Sequence, residues 1–247
     1  MKKILAEIAY DGSIYHGFQI QPTKPTVQGE IEKALMKINK KKVKIHSSGR
    51  TDKGVHAKRQ IITFDMNINI RLNNLKRALN AILLKKNIKI LNLKHVVKNS
   101  FHPRFNAQKR KYSYCILNSN NYYPWEGYQA HYVNKKLNIN NLNQMAKVLI
   151  GNHDFTTFSC IKDKSKSKFR YIYFAKFKKR GKYIIFEIIG SSFLWKMVRS
   201  IIGTMLDIEI KNESISTFET ILKSKNRTLA RTTAPANALF LDKVYYE

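Results

Sequence analysis

The N-terminal half of the chain is organised around the stretch Ser48-Gly49-Arg50-Thr51-Asp52-Lys53-Gly54-Val55-His56-Ala57. Apolar residues at 43–47 and 60–64 predict a strand on each side of it, so the stretch itself is predicted to be a loop. Its two glycines permit a sharp turn that presents one side chain. The carboxylate of this loop, Asp52, is therefore the candidate functional group.

Two interpretations of Asp52 stay open from the residues alone. Positive charge on Arg50, Lys53 and His56 would lower the pKa of the carboxyl and keep it ionised, as a nucleophile or general base requires. An aspartate in a glycine-containing loop also commonly caps the turn through backbone hydrogen bonds and has no catalytic role.

Outward from this loop, the first half of the chain alternates strands with helices. The predicted strands lie at 4–10 and 88–97. One helix begins after the N-cap Thr26, and the other has apolar residues at helical spacing over Leu72–Leu83. The segment 101–105 interrupts this pattern and is taken as a domain junction.

The second half repeats the same class of structure. Its predicted elements are a strand at 109–117, a helix ending at Gly151, a hairpin of 171–178 and 183–189, a helix with a buried face over Phe193–Met205, and a last strand at 239–245. The prediction is an α+β protein with domains at residues 1–103 and 104–247. Each is a mainly antiparallel mixed sheet with helices packed on one face.

The charge of the chain indicates its partner class. Lysine and arginine number 46 against 16 acidic residues, which gives a net charge of +30. A surface of this sign suits a polyanion, and nucleic acid is the commonest one in the cytosol. AT-rich coding could inflate the lysine content but does not account for the scarcity of acids. An anionic membrane surface is a weaker alternative, because no basic amphipathic helix is evident.

Other function classes find no support in the sequence. No apolar run approaches the length of a membrane span, and two cysteines cannot form a disulfide framework or a zinc site, so a cytoplasmic location is expected. The carboxylates and histidines show no metal-ligand spacing, and no phosphate-binding glycine loop is present. The prediction is therefore no metal and no small-molecule cofactor.

Two further candidates lie in the second half. Tyr112 and Tyr114 alternate with basic residues on one predicted strand, which suits either stacking on an unpaired base or packing in the core. Arg199 lies in a predicted apolar helix and is either a solvated arginine or a partner of the active carboxylate. Spacing does not decide between these alternatives.

Six collinear blocks resemble one enzyme family. The first is the stretch 49–57. Two more lie in or near the first half of the chain: Tyr10-Asp11-Gly12 with Tyr15-His16-Gly17-Phe18-Gln19, and Phe101-His102-Pro103-Arg104-Phe105-Asn106-Ala107 with Lys111-Tyr112-Ser113-Tyr114. The other three are Gly151-Asn152-His153-Asp154-Phe155, Phe193-Leu194 with Met197-Val198-Arg199, and Ala234-Pro235-Ala236. Together they resemble the tRNA pseudouridine synthase A family over nearly the whole chain.

The resemblance implies an isomerase that converts uridine to pseudouridine at positions 38, 39 and 40 in the anticodon stem-loop of tRNA. It implies that Asp52 is catalytic, that Tyr112 stacks on the flipped uracil, and that Arg50 and Arg199 flank the site. It also implies a homodimer, a basic RNA-binding cleft between two domains, and no metal or organic cofactor. The alternative is a non-catalytic protein that binds tRNA or rRNA, which the charge and the aromatic strand fit equally well.

Overall fold

The alternation of apolar and polar residues along the first strand shows how the N-terminal part of the chain folds. The computed structural model describes residues 2–98 and 100–246 of the 247-residue chain. In β1 the residues Ile4, Ala6, Ile8 and Tyr10 are buried, and the residues between them are half-buried. A strand with one buried face needs a layer of helices on that side only. The α+β class predicted from the sequence is confirmed.

The contacts divide the chain into two compact units, Met1–Gln108 with Phe240–Glu247, and Lys109–Leu239. The sequence-based division at residue 103 assigned residues 104–108 and the last strand to the second domain. In the structure residues 104–108 and the last strand from Phe240 onward group with the first unit. Phe240 and Leu241 pair there with His56 and Ala57.

The first unit contains a mixed sheet and two helices. Its strands are β1 (Lys2–Tyr10), β2 (His46–Ser47), β3 (His56–Met66), β4 (Ile88–His95) and β10 (Leu239–Tyr245), and its helices are α1 (Val27–Asn39) and α2 (Leu72–Leu83). The order β4-β1-β3-β10 is antiparallel except for β3 and β10, which pair in parallel with Phe240 opposite His56; β2 pairs with β3.

Both helices of this unit follow the sequence pattern. Thr26 caps α1 as predicted, because its Oγ1 accepts a hydrogen bond from Gly29 N at 3.2 Å. The helix ends where Lys40 adopts a left-handed conformation with φ of 57°. In α2, Leu75, Leu79 and Leu83 are spaced one turn apart and are buried.

The second unit contains a largely antiparallel sheet and three helices. Its strands are β5 (Lys109–Asn118), β6 (His131–Val133), β7 (Gly151–Asp154), β8 (Phe169–Arg180) and β9 (Tyr183–Gly190), and its helices are α3 (Ile139–Val148), α4 (Met197–Ile210) and α5 (Ile215–Lys223). The sheet order is β5-β9-β8-β7, with the short β6 parallel to β5. Helix α3 packs on β8 and against α4 and α5.

Short 3-10 turns complete the described chain, at Leu84–Lys86, Pro124–Gly127, Thr156–Phe158, Arg227–Leu229 and Ala236–Ala238. No helix within residues 2–98 and 100–246 combines the length and apolar composition that crossing a bilayer would require.

Candidate active site

The loop that carries Asp52 is held in place by strand β1. Tyr10 is buried, and its hydroxyl lies 2.7 Å from Thr51 Oγ1 and donates to Gln60 Oε1 at 2.5 Å. Gln60 in turn donates from Nε2 to Gly49 O at 2.7 Å. This chain of buried hydrogen bonds fixes the residue before Asp52, because breaking it would leave polar atoms without partners.

The segment after β1 and the loop's own backbone add further hydrogen bonds. Phe18 N donates to Thr51 O at 3.0 Å, and Val55 N donates to Asp52 O at 3.1 Å. Thr51 and Val55 are 7% and 2% exposed, whereas Asp52 between them is half-buried. Thr51 and Val55 therefore fix the backbone of the loop around Asp52, and Asp52 itself is half-buried.

The other charged residues of the loop occupy different positions. Arg50 and Lys53 are exposed, so their charges lie at the surface of the loop. The sequence predicted that His56 adds positive charge around Asp52. In the structure His56 is 1% exposed and stacks on Phe240 with 4.7 Å between ring centroids. Its Nδ1 atom lies 3.1 Å from Gly12 N and 3.0 Å from Asp11 Oδ1. Without a hydrogen, Nδ1 accepts a hydrogen bond from Gly12 N; with a hydrogen, Nδ1 donates one to Asp11 Oδ1. In either case the imidazole links the loop to the residues that follow β1.

The first unit thus brings two of the resembling blocks together. Residues 10–12 and 16–18 are separated from residues 49–57 by more than thirty positions in sequence, yet they supply the hydrogen bonds that shape the loop. This explains why residues without chemistry of their own belong to the pattern.

In the second unit, the two tyrosines of β5 have different environments. Tyr114 is fully buried and donates from its hydroxyl to Pro235 O at 3.1 Å. Burial raises the pKa of the Tyr114 phenol, with the charge of Arg199 acting in the opposite direction. Tyr112 is half-buried, and its ring meets Phe193 edge to face with 5.2 Å between centroids. Tyr114 is a core residue, whereas Tyr112 keeps an accessible surface.

Arg199 is fixed by the segment that precedes the last strand. Its Nε donates to Ala234 O at 2.8 Å, and Ala234 N donates to Arg199 O at 3.1 Å. Arg231 N also donates to Thr204 Oγ1 at 3.1 Å, five residues farther along α4. The half-buried guanidinium is therefore a positioned group and not a freely solvated one.

Sequence reasoning missed Asp163, which positions the turn before α4. Its carboxylate accepts from Trp195 N at 2.7 Å, from Lys168 Nζ at 2.8 Å and from Ser165 N at 2.8 Å. Burial would raise the pKa of this carboxyl, but the hydrogen bonds from Lys168, Trp195 and Ser165 lower it far below its ordinary value. The sequence signal for Asp163 was an aspartate in a lysine-rich segment, and ordinary surface loops show the same pattern.

Asp163→Asn is expected to destabilise the protein by about 1–3 kcal/mol at pH 7, because an amide nitrogen would face the N–H or ammonium donors. The folded-state pKa is lowered, so this stabilisation is complete above the unfolded value of about 3.9 and disappears as the pH falls through the folded value. Urea unfolding from pH 7 to pH 3 measures it. Asp65→Asn, which makes the same charge change at an exposed residue, is the control. A gap between Asp163→Asn and wild type that stays constant with pH would contradict the assignment.

Among the described residues, no group of three or more histidine, cysteine or acidic side chains is arranged to hold a metal ion.

Comparison with known proteins identifies the family. A sequence model described as tRNA pseudouridine synthase matches residues 6–106 and 145–247, more than half of the chain. The chain belongs to this family. Proteins named tRNA pseudouridine synthase A from Borreliella afzelii, Borrelia garinii subsp. bavariensis and Borrelia duttonii are 92%, 93% and 74% identical to it over 247 residues. Each of these alignments covers 100% of both chains.

Membership makes the protein a catalytic one, an isomerase of the pseudouridine synthase class. Among the candidate residues, Arg50, Asp52 and Arg199 lie inside the matched ranges, and Tyr112 lies outside them. The family therefore supports the enzyme over the non-catalytic RNA-binding alternative.

Proposed function

We propose that this protein isomerises uridine to pseudouridine at positions 38, 39 and 40 in the anticodon stem-loop of tRNA, with Asp52 as the catalytic carboxylate. The observation that carries the proposal is the anchored loop. Thr51 and Val55 are buried and hydrogen-bonded, and they leave the half-buried Asp52 side chain on a fixed backbone. In such a loop the reactive group is already positioned, so no substrate-binding energy is needed to order the loop.

The reaction explains why one carboxylate is sufficient. The N1–C1′ bond breaks, the base turns, and a C5–C1′ bond forms; the proton lost from C5 balances the one gained at N1. No atom is added and no electron is transferred. The carboxylate acts on the sugar at C1′, removes a proton from C2′, or adds at C6 of the base. Each route needs an ionised aspartate next to a nucleotide that has left its stack.

Three further residues receive roles in this proposal. Tyr112 covers the detached uracil while it rotates, and its accessible ring beside Phe193 supports that role. Arg199, positioned by Ala234, pairs with the carboxylate, and the exposed Arg50 binds the phosphate backbone near the extruded nucleotide. A basic cleft between the two domains would hold the tRNA, and the net charge of +30 supports an RNA ligand.

The quaternary state and location complete the proposal. The resemblance supports a homodimer in which each tRNA contacts both subunits, and a tRNA substrate supports a cytoplasmic location. Sedimentation of the protein with and without tRNA measures the first of these.

Tritium release from unmodified tRNA carrying 5-tritiated uridine tests the activity, because forming the C5–C1′ bond expels the C5 hydrogen. Carbodiimide mapping of the same tRNA locates the product. The expected result is release with new pseudouridine at positions 38, 39 and 40 only. Release with product at other positions would refute the site assignment, and absence of release would refute the proposed activity.

A further inference from the structure

A group of exposed aromatic side chains follows β5 in the second unit. Tyr122, Tyr123, Trp125 and Tyr128, here called the aromatic segment, are 44%, 53%, 68% and 75% exposed. Leaving this much aromatic surface in water is unfavourable, and such a patch commonly marks a binding surface. The family match covers residues 6–106 and 145–247 and so assigns no role to this segment.

Hydrogen bonds hold the backbone of the aromatic segment. Glu126 N donates to Tyr123 O at 2.9 Å, and Asn237 Nδ2 donates to Gly127 O at 3.0 Å and to Tyr128 O at 3.2 Å. The Tyr123 and Trp125 rings stack on each other with 5.1 Å between centroids and 12° between planes. One face of the indole is covered by Tyr123, and its exposure leaves ring surface for another flat group.

A run of cations leads to one of these rings through Lys182. The end of β8 and the turn that leads to β9 carry four exposed cations, Lys178, Lys179, Arg180 and Lys182, here called the basic turn. Asn118 N donates to Lys182 O at 2.8 Å, which attaches the turn to the start of the segment. Lys182 Nζ also lies 5.9 Å from the centre of the Tyr123 ring.

The acidic side chains at this surface are neutralised. Glu126 forms an ion pair with Lys182, and Glu187 forms one with Lys178 at 2.5 Å. The hydrogen bond from Lys182 lowers the pKa of the Glu126 carboxyl, so the pair stays ionised. Lys179 and Arg180 therefore give the surface a net positive charge.

We propose that the aromatic segment and the basic turn form a second RNA-contact surface, at which Tyr123 and Trp125 stack on unpaired nucleotides and the basic turn binds the adjoining phosphates. Exposed aromatic rings next to cations are the combination that holds single-stranded RNA, since bases stack on the rings while phosphates pair with the charges. This inference depends on the proposed function only for the identity of the RNA, which is taken to be tRNA.

The basic turn and Tyr112 lie at different positions along the β5–β9 pair. Tyr112 is opposite Ile188 in the sheet, whereas Leu117, just before the segment, is opposite Tyr183 at the turn. Five strand residues at about 3.3 Å each place Tyr112 and Leu117 about 17 Å apart. Lys182 Nζ lies 5.9 Å from the centre of the Tyr123 ring, which places that ring on the side of the turn.

A second copy of this chain is the less favourable occupant. A two-fold interface through this surface would bring each basic turn towards its copy, so that like charges would meet. A polyanion meets the same groups with opposite charge.

The test uses full-length protein and an unmodified tRNA transcript. Trp125→Ala is expected to raise the Kd for tRNA by about 5- to 30-fold, with kcat at saturating tRNA unchanged. Trp125→Phe should restore most of the affinity, because phenylalanine keeps a stacking surface. Ile161→Ala, which removes an 86% exposed apolar side chain elsewhere in the same unit, is the matched control and should leave Kd unchanged.

Two further measurements separate the outcomes. The chain has two tryptophans, so Trp195→Phe leaves Trp125 as the sole reporter, and tRNA or a short unpaired oligoribonucleotide should quench its fluorescence. Replacing Lys179 and Arg180 together by glutamine should reduce the slope of log Kd against log salt by about 1–2.

Lack of quenching, or a Trp125→Ala Kd within twofold of wild type, would overturn the proposal. A Trp125→Ala protein that changes its oligomeric state but binds tRNA normally would assign the surface to a second copy instead. Binding is measured without turnover, so a wild type that releases no tritium yet shows these effects would refute the proposed function and leave this surface standing.

Discussion

Asp52→Asn is expected to lower the rate of tritium release from 5-tritiated tRNA by about a thousandfold or more, while the Kd for tRNA stays within about threefold of wild type. Asparagine has the shape of aspartate but carries no charge, so it can neither attack a carbon nor remove a proton. The loop should keep its conformation, because its backbone is held through Thr51 and Val55. An unchanged melting temperature would verify this.

Two variants sharpen the interpretation. Asp52→Glu keeps the charge but moves it by one methylene group, and we expect most of the activity to be lost, because a displacement of about 1 Å can cost a hundredfold. Asp65→Asn removes a charge from an exposed position in the same unit and should keep full activity. Turnover of Asp52→Asn within tenfold of wild type would exclude Asp52 from the chemistry.

Gly203→Ala is expected to destabilise the protein by about 3 kcal/mol, although alanine is the better helix former. A Cβ at residue 203 would lie 1.9 Å from Thr232 O and 2.9 Å from Ala234 N. Both are backbone atoms, so no rotamer change relieves the clash, and α4 must move away from residues 232–234. That movement would break the paired hydrogen bonds between Arg199 and Ala234, one turn earlier on the helix.

Thermal unfolding measures this effect, and a decrease in Tm of about 6–12 °C corresponds to it for a chain of this size. Activity should fall as well, because Arg199 loses its position. Gly49→Ala is the control for stability, since a Cβ there meets no atom within 4 Å. A Gly203→Ala protein as stable as wild type would show that the close approach of the two backbones is not required.

Sequence periodicity predicted most elements but not all of their ends. The pattern over Phe193–Met205 predicted one helix, yet α4 begins at Met197, because Lys196 adopts a left-handed conformation with φ of 62°. Phe193 therefore lies in an irregular segment before the helix, where its ring reaches Tyr112. Similarly, α3 ends at Val148, and Gly151, with φ of 106°, begins β7 instead of ending the helix. Apolar spacing does not distinguish a helix from an apolar turn that leads into it.

The limits of sequence-based prediction at the candidate site have a similar physical origin. The loop and Asp52 could be identified from glycine spacing and local charge, but the role of Tyr10 could not. Its hydroxyl reaches Thr51 and Gln60, which lie 41 and 50 positions away. Likewise, alternation on β5 could not separate Tyr112 from Tyr114, since both point to the same side of the strand. In the structure Tyr114 is enclosed, with its hydroxyl bonded to Pro235 O and its ring edge to face with His131.

The parallel pairing of β10 with β3 has a consequence for biosynthesis. The first unit needs a strand that leaves the ribosome only after residues 109–239 have been translated, whereas the second unit is continuous in the chain. Nascent chains commonly fold from the N-terminus. Here the first unit should reach its full set of strands only after the whole second unit has been synthesised, because His56 and Ala57 of β3 pair with Phe240 and Leu241.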